Sequence, residues 1–363
     1  MKLFRIVHAC GFRKLFNPWL SVFVLMSGVI AAAEALAADA EVIGAGASFP
    51  APVIHAWARQ FAQEKQIDVH YRSVGSGEGI RRVTARSVDF AMTDMPLTQA
   101  ELVQDDLVQF PVVAGAIVPV ANLPGIGPGE LKLSGAVLAD IYLGSITVWD
   151  APAIRALNPD LRIPGLPVKV VHRSDGSGTS FVFTHYLSKV SAEWQDRLGV
   201  GSRLRWPVGA GAKGNEGVAE MVRDSAGAVG YVEYAYALKL QLATVQLANK
   251  SGRFVRPGEA GVRAALASAN WSRPSFYEML TDRDGEDTWP IVGVSFALVH
   301  QRPADRIDAE KTLGFLDWVY RRGVPLASEF QYISLEEKAL IERIKASWKK
   351  IRDGKGQLVW AGR

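Results

Sequence analysis

The 363-residue chain has a single cysteine, Cys10, and it precedes every segment that reads as folded structure. No disulfide framework or Cys-based metal site is therefore available to the main body of the chain. The six histidines show no H-E-x-x-H or similar ligand spacing, so a zinc hydrolase is not indicated, and no metal or cofactor is expected. No run of like charges occurs, which argues against nucleic acid as a partner. No repeat of 20–50 residues and no low-complexity tract is present, which argues against solenoids and disordered linkers.

The chain also lacks an apolar run long enough for an ordinary membrane span. The longest, WLSVFVLMSGVIAAA, has 15 residues with Gly28 inside it, where a span needs about 20. Lys2, Arg5, Arg13 and Lys14 precede this run and small residues follow, the order of a secretory signal. Ala35-Leu36-Ala37 supplies an A-x-A site for cleavage after Ala37, with Ala38-Asp39-Ala40 a second choice. The signal is expected to be residues 1–37. It carries four basic side chains against Glu34 alone, a surplus of three, so processing lowers the formal charge from +4 to +1. The roughly 325 residues left exceed what one core usually serves, and two lobes are expected.

What is present is an alternation of short apolar runs with amphipathic stretches. EVIGAG, DVHYRSV, DFAMTD, VVAGAIVPVAN, VKVVHRS, GAVGYVEY and IVGVSFALVH read as strands. Helical periodicity covers 50–65, 78–87, 136–143, 179–190, 215–223 and 308–322, and the whole is an α/β pattern. Near the C-terminus Ser334 and Glu337 suggest a capping box, followed by Leu340, Ile341, Ile344, Trp348 and Ile351 on one helix face. The nearly uniform apolar runs 112–122 and 290–300 suit strands buried on both faces and are candidate crossings between lobes. The aromatic YVEYAYA at 231–237 reads as core.

Three segments repeat one design in which a strand ends, glycine and hydroxyl residues follow, and a helix begins: GAGASFPAP at 44–52, SVGSGEG at 73–79 and RSDGSGTS at 173–180. Pro50 fits a first helical turn, with Val53, Trp57 and Phe61 behind it. Helix starts offer unpaired N–H groups and about half a positive charge, so these loops suit an anion. Ser48, Ser76, Ser177 and Thr179 add hydroxyls, Phe49 and Gly178 add amides, and Arg173 offers a planar fork that Asp175 can hold.

Asp94 ends the DFAMTD strand, where α/β sheets place ligands. A carboxylate in an anion site implies an anion that keeps a hydrogen. Phosphate does at neutral pH and sulfate does not, so Asp94 would act as a selectivity filter. A phosphatase or serine hydrolase is disfavoured, because Gly176-Ser177-Gly178 lacks the G-x-S-x-G elbow and His172 should point away from Arg173.

These residues resemble the periplasmic phosphate-binding proteins of the Pst ABC transporter. The likeness is carried by GAGASFPAPV, VDFAMTDMPL, FPVVAGAIVPVAN, DIYLGSITVWD, HRSDGSGTSFVFTHYLSKV, GAVGYVEYAYA and GEDTWPI. It implies a type II binding-protein fold, each lobe a mixed sheet flanked by helices, joined by a two-strand hinge. The lobes would be 38–116 with 296–363, and 117–295.

The resemblance further implies a monomeric, non-enzymatic periplasmic receptor that delivers inorganic phosphate to membrane permease subunits. Ser48, Phe49, Ser76 and Asp94 would bind from one lobe and Arg173, Ser177, Gly178 and Thr179 from the other, with Asp175 orienting Arg173. The chain has Ser48 where the family often has threonine. Gly77 and Glu78 stand where serine and glycine are commoner, and Glu78 is expected to face solvent. A receptor for another tetrahedral oxyanion, such as sulfate, and a scavenger without a transporter are the alternatives.

Overall fold

The computed structural model of the protein describes residues 41–360. The expected signal 1–37 and Cys10 lie outside the described residues. Along the chain the strands are β1 (Glu41–Gly46), β2 (Asp68–Ser73), β3 (Phe90–Thr93), β4 (Leu107–Ala121), β5 (Lys132–Leu133), β6 (Lys169–Arg173) and β7 (Ala210–Ala212). They continue with β8 (Ala228–Glu233), β9 (Ala243–Thr244), β10 (Gln246–Ala248), β11 (Phe254–Val255), β12 (Leu280–Thr281), β13 (Ile291–His300) and β14 (Ile333–Ser334). Hydrogen bonds join most of them in the order β2-β1-β3-β13-β4-β8-β6-β7, with β12 on β13 and with β9 and β14 on β4.

The long strand β4 organises the molecule. Its residues 107–116 pair antiparallel with β13, whereas 117–121 pair antiparallel with β8. One continuous strand thus runs from a half-sheet of β2, β1, β3 and β13 into a second one of β8, β6 and β7. Within each half the neighbours β1–β2, β1–β3, β6–β8 and β6–β7 are parallel. All of β4 and β13 is buried, as their unbroken apolar sequences require. β4 begins at Leu107, five residues before the expected 112. Pro111 is tolerated because the β4–β13 register shifts between Ser295 and Phe296, and a bulge spares a proline from ladder bonding.

Where β4 and β13 face each other, Gly115 is paired with Gly293. A Cβ at Gly115 would stand 3.1 Å from the Phe49 ring and 3.1 Å from that of Tyr332, and one at Gly293 would stand 3.0 Å from Phe49. The two glycines make the space that the Phe49 ring fills.

Helices cover both half-sheets. In Ala51–Lys65, capped by Pro50, Val53, Trp57 and Phe61 are buried at every fourth position, each stabilising the fold by about 2 kcal/mol. Trp57 Nε1–H donates to the Gly323 carbonyl at 2.8 Å, and the Phe61 ring meets Phe315 edge-on at 5.3 Å. The second glycine-rich helix is Ser76–Thr84 rather than 78–87, because Gly75 already turns the chain at φ +92° and Arg86 leaves the helix at φ +57°.

The expected capping box does not form. Ser334 pairs in β14 with Val113 of β4, and the helix begins at Lys338, with Glu337 as cap residue and no side-chain cap bond. Strand pairing has claimed the serine. The face reading holds, with Leu340, Ile344, Trp348 and Ile351 buried and Ile341 partly so. Trp348 lies against Phe110 of β4, ring centres 5.4 Å apart. YVEYAYA is core as expected, with only Tyr234 partly exposed.

Candidate functional site

The loops leaving β1, β2, β3 and β6 meet where the two half-sheets face each other. Ser48 and Phe49 follow β1, Ser76 opens the helix after β2, and Asp94 follows β3. Ser177, Gly178 and Thr179 open the helix Gly178–Val190 after β6. Parallel strands ending at one edge bring these helix starts together, and all of these residues are buried, Asp94 to 1% exposure.

Direct hydrogen bonds join the two halves. Ser76 Oγ accepts from the Gly178 N–H at 3.1 Å and from the Asp94 N–H at 3.3 Å. The Gly77 N–H donates to the Gly176 carbonyl at 2.9 Å. Thr179 Oγ1 stands 3.5 Å from Asp94 Oδ2. Ser177 Oγ accepts from the Ser180 N–H and the Ser177 N–H donates to the Ser202 carbonyl, leaving its hydroxyl hydrogen for other use. Gly75 permits this approach, since a Cβ there would stand 2.3 Å from Asp175 Oδ2.

Arg173 is fixed in the way its fork suggests. Its Nε and Nη2 donate to the two Asp175 oxygens at 2.8 and 2.5 Å, and the Gly214 N–H adds a bond to Asp175 Oδ1 at 3.1 Å. Burial pushes the Asp175 carboxyl up, but the Arg173 bonds and charge with the Gly214 amide outweigh it and hold the group below the usual aspartate value. Arg173 Nη1 is buried without a hydrogen-bond partner. An unpaired nitrogen on a buried cation is costly and suits an anionic ligand.

Asp94 has the opposite balance. Burial is the largest influence and pushes its carboxyl up to about 7, against the Ser295 hydroxyl bond of 2.9 Å, the Arg173 charge and Thr179. A dehydrated acceptor thus faces donors drawn from both halves. The arrangement suits a small anion that brings its own hydrogen. Among the described residues no group of three His, Cys, Asp or Glu is placed to hold a metal ion.

His172 stacks on the Trp206 ring at 4.9 Å, on the other face of β6 from Arg173, and so offers no base to Ser177. Glu78 pairs with Arg81 and Arg82 of its own helix, its side chain about a quarter exposed at 26%.

The structure adds residues that local sequence did not single out. Asn215 donates from its N–H and Nδ2 to Ser48 Oγ at 3.0 and 2.9 Å and from Nδ2 to Thr179 Oγ1 at 3.2 Å. It opens the helix Gly214–Arg223 after β7, the same strand-glycine-helix design without a serine. Ser295 on β13, Tyr236 on Ser48 and Tyr332 on Phe49 come from distant segments with no local signal.

The model of the PBP superfamily domain matches residues 31–322. The phosphate-binding protein PstS of Pasteurella multocida is 42% identical over 339 residues, which is 93% of this chain and 98% of that protein. The PstS of Haemophilus influenzae is 44% identical over 330 residues, 91% and 97% of the two chains. The chain belongs to the PstS family of the PBP superfamily.

Solved structures agree on the fold. A phosphate binding protein from Stenotrophomonas maltophilia superposes with a TM-score of 0.63 at 21% identity, covering 84% of this chain and 93% of that one. An ABC-type phosphate transport receptor from Vibrio cholerae gives a TM-score of 0.52 at 18% identity, covering 81% and 100%. The chain is accordingly a two-domain α/β binding-protein fold with mixed sheets flanked by helices.

Proposed function

We propose that this protein captures inorganic phosphate between its two lobes and delivers it to an ABC importer. The observation that carries the reading is Asp94, a buried carboxylate set among donors from both half-sheets. The PstS relatives are named phosphate-binding proteins, and the geometry supplies a reason for that ligand.

Phosphate enters with at least one hydrogen, which Asp94 accepts. The amides of Phe49 and Gly178, the hydroxyls of Ser48, Ser76, Ser177 and Thr179, and the fork of Arg173 donate to its oxygens. Asp175 keeps the fork in plane. Each lobe holds part of the set, so phosphate contacts all of it only when the lobes are closed and draws the population to that state.

In this reading the signal is removed near Ala37 and the receptor works in the periplasm as a monomer without catalytic turnover. The lobes are 38–116 with 296–363, and 117–295, and permease subunits recognise the closed form. Among the described residues no helix is long and apolar enough to cross a membrane.

Titration calorimetry on residues 38–363, unfolded and refolded to strip bound anion, tests the reading. Phosphate should bind tightly and excess sulfate should not compete. Binding of sulfate in place of phosphate would leave only an oxyanion receptor, and release of phosphate from an ester would reopen catalysis.

A further inference from the structure

Glu233 closes β8 opposite Ile117, at the point where β4 passes from one half-sheet to the other, and it has no exposed surface. Its Oε2 accepts from the Ala235 N–H at 2.9 Å, capping the helix Tyr234–Lys239. The same oxygen lies 2.6 Å from the Tyr332 hydroxyl, and that hydroxyl lies 2.6 Å from the Phe49 carbonyl oxygen.

Counting hydrogens decides the state of this chain of oxygens. Tyr332 has one hydroxyl hydrogen and the Phe49 carbonyl has none to give. If Tyr332 donates to an ionised Glu233, its oxygen meets the carbonyl lone pair with no hydrogen between them, at a distance typical of an O–H···O bond. If Glu233 is a neutral acid, it donates to Tyr332 and Tyr332 donates to Phe49, and both contacts are satisfied. Glu233 Oε1 is buried without a partner, tolerable for a neutral carbonyl oxygen and costly for a charged one.

We infer that Glu233 is a protonated positioning residue that fixes the Ser48-Phe49 loop through Tyr332 and Tyr236. Tyr332 holds the Phe49 carbonyl. Tyr236, on the helix that Glu233 caps, donates to the Ser48 carbonyl at 2.7 Å. That carbonyl shares a peptide plane with the Phe49 N–H, so the tyrosine sets where this donor points. The Phe49 ring meanwhile fills the gap left by Gly115 and Gly293. The titratable groups facing Glu233 are Tyr332, Tyr236 and Asp94; burial, with the Asp94 charge, outweighs the Tyr332 hydroxyl and the Ala235 and Tyr234 amides and pushes its carboxyl well above the usual value. Arg173 is engaged by Asp175.

The inference about the loop rests on the phosphate reading, whereas the protonation of Glu233 does not, so the test has two arms. In protein carrying ¹³C-labelled glutamate, the Glu233 carboxyl carbon, assigned by its loss in Glu233→Gln, should stay at the protonated position from about pH 5 to 8 while ordinary glutamates are ionised throughout. In phosphate titrations, Glu233→Gln keeps the donor to Tyr332 at the expense of the cap and should lose less than about threefold, whereas Tyr332→Phe should lose about tenfold or more. A Glu233 signal already ionised at about pH 6 overturns the inference even if phosphate binds. Equal losses in the two folded variants overturn the positioning role. Failure of the wild type to bind phosphate defeats the phosphate reading and the loop's role in it, while the labelled signal still decides the protonation.

Discussion

At the scale of single residues the site is governed by two aspartates with opposite environments, Asp94 buried and Asp175 partly so. Asp175 faces a guanidinium and the Gly214 amide, and its ionised form is favoured; Asp94 faces hydroxyls in a dehydrated cleft, and its ionised form is disfavoured. The folded-state value of Asp94, about 7 without ligand, lies above its unfolded value near 3.8. The folded state then holds more protons between these values, so the associated stability is complete below about pH 4 and is lost as pH rises toward 7. Denaturant titration of phosphate-free protein should show a loss across this window that Asp94→Asn removes, on the order of 3–4 kcal/mol if the lobes stay closed and smaller as opening rehydrates Asp94. Glu233 acts with the same sign, so the difference between wild type and variant is the quantity to read. In binding assays the same Asp94→Asn protein should lose most of its preference for phosphate over sulfate, a ratio expected to fall by about 100-fold or more. Asp175→Asn frees the Arg173 fork, and calorimetry should show phosphate affinity lower by about 10- to 100-fold.

At the scale of elements the helix starts matter most, and Gly75 shows how closely they meet. Its φ of +92° is strained for any side chain, and a Cβ there would stand 2.3 Å from Asp175 Oδ2 and 2.9 Å from the Gly176 carbonyl oxygen of the opposite half. Gly75→Ala should cost about 1–3 kcal/mol of stability through the backbone, measured by denaturant unfolding. The facing clash should also weaken phosphate binding by at least about tenfold. These helix starts were readable because a strand, a glycine-hydroxyl loop and an amphipathic face lie within a dozen residues of one another. Asn215 escaped because its helix start has lysine and glycine where the others have serine. Ser295, Tyr236 and Tyr332 escaped because only the topology brings β13, the end of β8 and the C-terminal segment to the Ser48-Phe49 loop. Ser334 shows the reverse, a sound local capping pattern overruled by pairing with β4. Glu233 lay within a segment read correctly as core, and periodicity does not announce a carboxyl buried without a cation.

At the scale of the molecule the described conformation is closed, since Gly178 to Ser76 and Gly77 to Gly176 are direct bonds between the two halves. Each such neutral bond, like those from Asn215 and Tyr236 to Ser48, contributes only about 0.5–1.5 kcal/mol. Against them stand the cost of leaving Arg173 Nη1 unpaired and of keeping Asp94 dehydrated. Without an anion these terms oppose closure, and in the proposed site phosphate would reverse both at once by pairing the fork and giving Asp94 a hydrogen to accept. Stripped protein should therefore occupy more open conformations, and small-angle scattering should record a smaller radius of gyration when phosphate is added and no change with sulfate. The same linkage raises thermal stability. At phosphate about 1,000 times its dissociation constant the folded state gains about 4 kcal/mol, which for a chain of this size moves the melting temperature by on the order of 5 °C. A melting shift without compaction would mean that phosphate binds to lobes already closed, and the receptor's signal to its permease would then have to lie in something other than lobe closure.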